Sequence, residues 1–492
     1  MLFVVRFFPE ITIKTRQVRR RMIRVLRRSL RTQLAAIDEG VSVIGEWDNL
    51  EIRTELSDPV VLERIMTMLA HTPGIASVMQ VRKCPLPDLE GILALARTCY
   101  GPLLQGKTFA VRCKRQGVHP YNSMDVERFV GAGLMQGCGA RGVNLNHPEV
   151  EVKIEIHHDE MFVVERTVKG LGGYPLGTQD GVLSLISGGF DSAVSSYLCI
   201  RRGLITHYCF FNLGGREHEL AVKEVALYLW LKYGASHRVK FVTVPFEGVV
   251  EEIVTKIGKT QMGVVLKRMM LRAADRVAGF LKLEALVTGE SVAQVASQTL
   301  ANLAIIDRVT DKLVLRPLIA SDKQEIIDLA KQIGTEEFSK HVPEYCGVIS
   351  VRPTTRARLP RIEAEEALFN FEVLETAIQN IEIQMIDRVI EGVGNKAVKV
   401  EEVAAPEGGV VIIDIRHPEE EEASPLVLPT ELRASVERIP FYALRTRFSE
   451  LPRGPQYLLY CDRGIMSRLH ASHLRDGGYE QVAVYRPPQP VV

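Results

Sequence analysis

The apolar run VLSLI (Val182–Ile186) is followed by SGGFDS (Ser187–Ser192) and then by AVSSYLCIRRG. The first run predicts a buried strand, and the last predicts a helix. Between them, two glycines let the backbone approach an anion, and a helix N-terminus offers free N–H groups and a positive dipole. This stretch therefore predicts a strand–loop–helix unit of an α/β fold that binds phosphate.

Polar side chains in this loop could serve a nucleotide. Ser187 and Ser192 can donate hydrogen bonds, and Asp191 can orient Mg²⁺ or a departing pyrophosphate. The loop is not a Walker motif, because the GxxxxGK[ST] spacing and its lysine are missing. A glycine turn that only caps a helix is the alternative. The two serines, the aspartate and the preceding strand argue against it.

Short apolar strands continue to alternate with helices after this loop, which is the pattern of a doubly wound parallel sheet. The predicted strands are Val182–Ser187, His207–Leu213, Lys240–Phe246, Glu284–Thr288 and Leu313–Leu318. Before this region, strands and helices predict two small α+β modules, one ending near Pro73 and the other spanning 75–170. Residues 409–492 predict a final small α/β domain.

Composition limits the classes of protein that fit. The chain has 492 residues and a net charge of +1, so several domains are expected and any nucleic-acid contact must be local. Its eight cysteines form no CxxC pair, which argues against a structural zinc site or a disulfide framework. No apolar run reaches the length of a signal peptide or a membrane span. We therefore expect a cytoplasmic protein with reduced thiols and no tightly bound metal.

Residues 175–345 resemble the PP-loop ATP pyrophosphatases, which split ATP into AMP and pyrophosphate while adenylating a substrate. The resemblance rests on SGGFDS and on QMGVVLKRMMLRAA, LVTGES, ASQTLANL and RPLIASDKQEI, which match the tRNA-thiolating branch. It implies an ATP site, with Mg²⁺ accompanying the nucleotide. The residues implied for nucleotide binding are Leu185, Ile186, Ser187, Gly188, Gly189, Asp191, Ser192, Lys267, Gly289 and Gln298.

Catalytic roles are implied for Asp191 and Lys323. A lysine beside a phosphate loop can neutralise the charge that develops as pyrophosphate leaves. Taken alone, Lys267 or Lys323 would more often be a solvated surface residue, so the role depends on the resemblance.

Cys461 follows the strand-like run QYLLY and opens CDRGIMSR, which leads into the helix-like SRLHASHLR. Successive N–H groups and the helix dipole at such a loop would lower the pKa of the thiol and stabilise a thiolate or persulfide. The loop, with Asp414 and Arg416 in VVIIDIRHPEE, resembles the rhodanese domain and implies a persulfide carrier. A buried structural cysteine at the end of a strand is the alternative.

A second thiol, Cys346 in PEYCGVIS, also matches the tRNA-thiolating family. The resemblance implies that Cys346 attacks Cys461 after the outer sulfur has been donated, and that a cellular reductant reopens the resulting disulfide. A lone cysteine in this setting is usually unremarkable. The other six cysteines lie in apolar or helical segments and are interpreted as packing residues.

Two basic segments precede the phosphate loop: a helical stretch at 17–31, whose arginines face away from an apolar side that begins at Val18, and KTFAVRCKRQG. Such patches bind phosphate backbones without reading sequence, although a charged helix face is usually only solvated. Residues 63–167 resemble the THUMP domain, and residues 1–62 resemble the ferredoxin-like domain that precedes it, which implies recognition of tRNA shape. The predicted RNA-binding residues are Arg19, Arg20, Arg24, Arg112, Lys114 and Arg115.

Along its whole length the chain resembles the long form of the tRNA 4-thiouridine synthetase family, with 350–405 as a linker and 406–492 as a rhodanese-like domain. The resemblance implies ATP-dependent transfer of persulfide sulfur to a uridine at tRNA position 8, through an adenylated O4. The implied partners are tRNA, a cysteine desulfurase, a sulfur-carrier protein of thiamine thiazole synthesis and a reductant, with no membrane.

Two alternatives stay open. One is another PP-loop enzyme, such as a 2-thiouridine synthetase or an amide-forming ligase. The other is an RNA-binding sulfur-relay protein whose ATP loop is vestigial.

Overall fold

The computed structural model describes residues 1–45, 49–213, 215–340, 352–389, 400–404, 409–426, 428, 436–462 and 464–487. Contacts divide the chain into two compact units, Met1–Pro175 and Leu176–Val492. One sheet forms the first unit, and the second unit contains two sheets. The phosphate loop and Cys461 belong to the second unit.

The first unit contains a sheet whose strands are β1 (Leu2–Phe7), β2 (Ser42–Ile44), β3 (Asn49–Arg53), β4 (Ile75–Pro85), β5 (Thr108–Gln116), β6 (Gly142–Val143), β7 (Val150–His157) and β8 (Glu160–Lys169). Their order across the sheet is β2-β3-β1-β4-β8-β7-β5-β6. β1 pairs antiparallel with β3 and β4, whereas β5 and β7 pair in parallel. The helices of this unit are Pro9–Thr12, Arg16–Leu34, Pro59–Ala70, Leu89–Leu104 and Ser123–Gly137.

The buried face of the helix Arg16–Leu34 is rotated from the predicted one. Met22 and Leu26 are buried as expected, but Val18 is 40% exposed and Arg19 only 9% exposed. The Arg19 guanidinium donates to the carbonyl of Thr12 at 3.3 Å. The prediction that Arg19 lies on the solvent face is therefore wrong, because a long side chain beside an apolar face can bury its stem and keep a polar partner for its head.

The second unit begins with a sheet whose strands are β9 (Gly181–Leu185), β10 (Ile205–Asn212), β11 (Lys240–Pro245), β12 (Ala285–Val287), β13 (Leu313–Leu315) and β14 (Glu382–Met385). Their order is β13-β12-β9-β10-β11-β14, and every pairing is parallel except β11 with β14. β9 lies between β12 and β10, where the direction of the crossovers changes. Doubly wound sheets bind their ligands at such a point.

Helices cover both faces of this sheet. The α-helices are Phe190–Arg201, Gly215–Leu229, Glu247–Lys256, Met262–Phe280, Leu300–Ile306, Lys323–Ile333, Glu336–Ser339, Leu359–Glu366 and Phe371–Gln379. A π-helical segment follows at Trp230–Gly234, with 3₁₀ turns at Ala296–Gln298, Asp307–Val309 and Ile386–Arg388. The predicted doubly wound fold is confirmed in this unit.

Residues 352–389 do not form the linker predicted for 350–405. Their apolar side chains, including Ile362 and Leu374, belong to the core beneath the parallel sheet. Glu366 pairs with Arg268 in a buried salt bridge of 2.6 Å, and the chain then adds β14 to the edge of β11. The sequence prediction missed this because a charged helix with apolar residues on one side has the same sequence pattern in a linker as it has when it packs against a core.

A second sheet in this unit has the strands β15 (Glu402–Val403), β16 (Val411–Asp414), β17 (Val436–Arg438), β18 (Tyr457–Tyr460) and β19 (Val482–Tyr485). All its pairings are parallel, in the order β15-β19-β18-β16-β17. The helices described beside it are Pro418–Ala423, Phe441–Phe448 and Ile465–Asp476. This is the predicted C-terminal α/β domain, with two short strands, β15 and β17, that the sequence did not indicate.

Within the described residues, no helix is both long and apolar enough to cross a membrane.

Candidate active site

The phosphate loop lies at the carboxyl end of β9. Gly188 has a φ of +84°, a conformation that residues with a side chain rarely adopt, so glycine is needed there. Gly189 is the N-cap of the helix Phe190–Arg201. The N–H groups in the first turn of a helix have no partner within it, so this end can bind an anion.

The Ser192 hydroxyl shapes the loop from inside. It donates to the carbonyl of Gly189 at 3.0 Å, and the Ser187 N–H donates to it at 3.2 Å. Ser187 Oγ lies 3.3 Å from the same hydroxyl. These bonds fix the turn that carries Gly188, and direct contact of either serine with a nucleotide stays a prediction.

Asp191 joins the loop to the helix Lys323–Ile333. Its Oδ1 accepts from Lys323 Nζ at 2.9 Å, and its Oδ2 accepts from Gln294 Nε2 at 2.8 Å. Lys323 Nζ also lies 5.5 Å from the centre of the Phe190 ring. The structure thus brings together two predicted residues, Asp191 and Lys323, and adds Gln294, which the sequence analysis missed.

Gly289 marks a close approach between the segment after β12 and the loop. A Cβ atom at this position would lie 2.6 Å from the carbonyl carbon of Asp191 and 2.8 Å from the Ser192 nitrogen. Any side chain at 289 would therefore push the start of the loop helix away. Gly289 therefore adjoins the loop through backbone packing, and its contact with a nucleotide stays a prediction.

Lys267, on the helix Met262–Phe280, belongs to a charged cluster around Glu290, which follows β12. Its Nζ lies 3.5 Å from Glu290 Oε1, while Glu290 Oε2 accepts from Arg316 Nε at 2.9 Å. Burial disfavours the charged form of Glu290, but Lys267 and Arg316 outweigh this effect and lower the pKa of the carboxyl. Glu290 therefore stays ionised and holds both cations.

Three other residues predicted to contact the nucleotide are Leu185, Ile186 and Gln298. Leu185 ends β9, and Ile186 is buried, with its N–H donating to the carbonyl of Cys209 at 2.9 Å. Gln298 is buried on a 3₁₀ turn, and its side-chain oxygen has no hydrogen-bond partner among the described residues. Contact of these side chains with a nucleotide stays a prediction.

Two residues that the sequence analysis missed hold carbonyl groups of the loop. Ser339 Oγ donates to the carbonyl of Gly188 at 3.0 Å, and His218 Nε2 lies 3.3 Å from the carbonyl of Ser187. Burial lowers the pKa of His218. Both contacts come from distant helices, so no local motif could have revealed them.

Cys461 lies at the end of β18, in the loop before the helix Ile465–Asp476. Its Sγ lies 3.1 Å from Ser467 Oγ and accepts from the Ser467 N–H at 3.3 Å. The predicted geometry of a sulfur facing the first turn of a helix is therefore present. Only 8% of Cys461 is exposed.

The effect of this setting on the thiol differs from the prediction. The pKa of Cys461 is raised, because burial outweighs the hydrogen bonds from the Ser467 side chain and backbone. The expectation of a lowered pKa was wrong. The sequence showed the donors around the sulfur, but not that the sulfur would be covered.

We predict that Ser467→Ala will raise the pKa of Cys461 further, because the hydroxyl lowers it. Removing one hydrogen bond to a charged group should slow alkylation of Cys461 by iodoacetamide roughly fivefold at neutral pH. Peptide mass spectrometry after timed labelling would measure the alkylation rate, and Ser449→Ala, in the turn after the helix Phe441–Phe448, is the control. An unchanged alkylation rate in a folded Ser467→Ala protein would contradict this assignment.

An ion-pair network centred on buried Arg416 contacts the residues that flank Cys461. Arg416 donates to both carboxylate oxygens of Asp414, with the shortest contact at 2.6 Å, and to Asp462 at 3.1 Å. Its guanidinium also lies 5.0 Å from the centre of the Tyr460 ring. Arg416, paired with Asp414, therefore contacts the residues on both sides of Cys461.

Comparison with known proteins gives the family. A tRNA sulfurtransferase from Azotobacter vinelandii is 56% identical, over 99% of this chain and 100% of the relative. The chain belongs to the tRNA sulfurtransferase family. A relative from Pseudomonas aeruginosa, also a tRNA sulfurtransferase, is 55% identical over 99% of the chain and 100% of its own length.

Family models agree with this membership. The model described as "Thiamine biosynthesis protein (ThiI)" matches residues 177–371, and the THUMP domain model matches residues 88–164. A crystal structure of a 4-thiouridine synthetase–RNA complex with bound ATP has a TM-score of 0.68 and 24% identity, covering 78% of this chain and 99% of that one. This likeness confirms the fold. The match to 177–371 also extends past the predicted end at 345, as the packing of 352–389 does.

The predicted RNA-binding residues of this tRNA sulfurtransferase family member differ in exposure. Arg20, Arg24 and Lys114 are exposed, whereas Arg112 and Arg115 are partly covered. Arg112 donates to the carbonyl of Leu145, and Arg115 donates to the carbonyl of Gly117 at 2.8 Å. Together with the burial of Arg19, this leaves Arg20, Arg24 and Lys114 as the exposed members of the set, and contact of any of them with RNA stays a prediction.

The remaining site predictions concern the second thiol and metal binding. Cys346 lies outside the described residues. Within the described part of the chain, no group of three or more His, Cys, Asp or Glu side chains could hold a metal ion. Cys84, Cys99, Cys113, Cys138, Cys199, Cys209 and Cys461 are free thiols.

Proposed function

We propose that this enzyme transfers persulfide sulfur to a uridine of tRNA, at position 8, after activating the uridine O4 with ATP. The loop Ser187–Ser192 at the switch point of a parallel sheet, with the Asp191–Lys323 pair beside it, carries the proposal. The domain limits 1–62 and 63–167 are proposed for tRNA binding, and the rhodanese-like domain for sulfur transfer.

Activation would place the ATP phosphates at the N-terminus of the helix Phe190–Arg201. Uridine O4 attacks the α-phosphate, pyrophosphate leaves, and the O4–AMP bond turns the oxygen into a leaving group. Lys323 and Lys267 are the cations near the loop that could neutralise the departing charge. Mg²⁺ bound with ATP would supply further charge neutralisation, and Asp191 is the carboxylate that could orient it.

Sulfur transfer would begin with a cysteine desulfurase, which loads a sulfur atom onto Cys461. The terminal sulfur attacks C4 of the uridine and AMP leaves, which gives a disulfide between Cys461 and the base. The Cys346 thiolate then attacks Cys461 Sγ, releases 4-thiouridine and forms a Cys346–Cys461 disulfide. A cellular dithiol returns two electrons to reduce that disulfide.

The same persulfide could serve a second acceptor. A sulfur-carrier protein that supplies the thiazole of thiamine would take the outer sulfur of the persulfide, with the same dithiol supplying two electrons, and the model matched at 177–371 carries the name of thiamine biosynthesis. We include this donation in the proposed function. A tRNA substrate would place the reaction in the cytoplasm.

The direct test is reconstitution with ATP, cysteine, a cysteine desulfurase and unmodified tRNA. We expect the near-ultraviolet absorbance band of 4-thiouridine to appear in the tRNA, with one pyrophosphate released per base. Thiolation at C2 would instead support a 2-thiouridine synthetase, and an amide product would support a ligase. Sulfur transfer without ATP consumption would support a relay protein and overturn the proposal.

We predict that Arg20→Ala combined with Arg24→Ala will weaken tRNA binding about tenfold at moderate salt. Both side chains are exposed on one helix, and removing each arginine that binds a phosphate should lower the slope of log K against log salt by about one. Filter binding over a series of salt concentrations measures this. Lys256→Ala with Lys259→Ala removes two exposed charges elsewhere and should leave the slope unchanged, whereas equal slopes for all proteins would exclude Arg20 and Arg24 from the interface.

A further inference from the structure

Three aromatic rings join the two sheets of the second unit. Phe441, which begins a helix of the C-terminal sheet domain, stacks on Phe338 of the short helix Glu336–Ser339, with ring centres 4.2 Å apart and planes 24° apart. Tyr228, from the helix Gly215–Leu229, lies 5.0 Å from Phe338 and 6.1 Å from Phe441. Both phenylalanines are buried, so the contact excludes water.

The helix that follows Cys461 takes part in the same contact. His470 on this helix is buried, its ring centre lies 6.4 Å from that of Phe441, and its Nδ1 lies 3.8 Å from Glu224 Oε1 on the helix Gly215–Leu229. Burial, with His473 nearby, lowers the pKa of His470 to about 3, so the imidazole is neutral at neutral pH. Ser467, three residues earlier, holds the sulfur of Cys461.

The other side of the contact reaches the phosphate loop. Ser339, next to Phe338, is buried and donates to the carbonyl of Gly188 at 3.0 Å. In a trans peptide the C=O and the following N–H point in opposite directions. The hydrogen bond from Ser339 to the Gly188 carbonyl therefore directs the Gly189 N–H away from Ser339 and stabilises this orientation of the Gly188–Gly189 peptide. If the peptide flipped, a carbonyl that repels an anion would replace the N–H that can bind one.

We propose that Ser339 is a positioning residue for the phosphate loop. The stacking of Phe441 on Phe338 then couples the position of Ser339 to the docking of the domain that carries Cys461. The inference rests on the proposed function, in which the loop binds ATP. If this coupling holds, the phosphate loop has its ATP-binding shape when the domain that carries Cys461 is docked. Activation of the uridine by ATP is then linked to the presence of the sulfur donor.

The first test compares Ser339→Ala with wild type in steady-state thiolation by the full-length protein. Loss of a buried hydrogen bond should raise the KM for ATP about five- to tenfold, with the KM for tRNA unchanged. Thr376→Ala, which removes a hydroxyl that donates to the Glu372 carbonyl at 2.8 Å, is the matched control. An ATP KM within twofold of wild type would overturn the positioning role.

The second test addresses the coupling. Phe441→Ala should raise the ATP KM roughly threefold and speed amide exchange in the loop 187–192, whereas Phe441→Tyr keeps the ring and should restore both. Phe280→Ala, an exposed phenylalanine at the end of another helix, is the control. In the double variant with Ser339→Ala, the effects should be clearly less than additive if the two residues act through one contact.

The outcomes separate this inference from the proposed function. If wild-type protein forms no thiouridine, the proposed function fails, while hydrogen exchange in the loop still reports whether Phe441 and Ser339 act on it. If wild type is active and the two variants have additive effects on the ATP KM, the coupling is wrong. Unchanged loop exchange in Phe441→Ala would also reject it.

Discussion

Replacement of Cys461 by serine should reduce thiouridine formation by at least about a thousandfold, because an alcohol cannot carry a transferable sulfur atom. The hydroxyl is similar in size to the thiol and can keep its contacts with the Ser467 side chain and N–H. ATP binding and release of pyrophosphate should therefore persist. Single-turnover assays that follow pyrophosphate and thiolated tRNA in parallel would measure this separation.

Cys138→Ser provides the control for loss of a thiol. Cys138 is a half-buried free cysteine in the first unit, and its replacement should leave the rate within about twofold, as substitutions away from functional features usually do. Full ATP-dependent product formation by Cys461→Ser would remove the persulfide from the mechanism. It would favour an amide-forming ligase.

Replacement of Asp191 by asparagine should lower the rate of pyrophosphate release about a hundredfold or more. The change keeps the shape of the side chain but removes the charge that pairs with Lys323 and that could orient Mg²⁺. Lys323 would then lie beside the phosphate loop without its ionic partner. Pyrophosphate release under saturating ATP and tRNA is the measurement.

Asp180→Asn is the matched control, since Asp180 is exposed just before β9. It should thiolate tRNA at nearly the wild-type rate. Persulfide loading of Cys461 should survive in Asp191→Asn, because that step takes place on the other sheet of the unit. An Asp191→Asn protein that thiolates at a normal rate would mean that the ATP loop is vestigial.

The parts of the site that could be predicted are those that one short segment encodes. The turn at Gly188, the helix after it and the cysteine at the end of a strand each depend on neighbouring residues, so their local conformation followed from the sequence. Ser339 and Gln294 could not be found this way. Their contacts with Gly188 and Asp191 span 151 and 103 residues, and a serine or a glutamine carries no signal of such a partner.

Burial decided where the predictions were wrong. For Arg19 and Cys461 the sequence correctly showed the chemical groups, but the side chains are covered in the fold, which changes what each group can do. In the segment 352–389 the charged residues suggested a linker, yet Glu366 forms a salt bridge with Arg268 inside the core. Desolvation depends on distant parts of the chain, and one strand or helix does not contain that information.

The antiparallel strand β14 has a practical consequence for anyone who shortens this chain. β11 would otherwise end the sheet with a row of unpaired N–H and C=O groups, and such an edge invites pairing with another molecule. Glu382–Met385 covers it. A fragment that ends at residue 345 would expose the edge of β11 and is expected to self-associate. A fragment that continues through Met385 retains β14, which pairs with that edge.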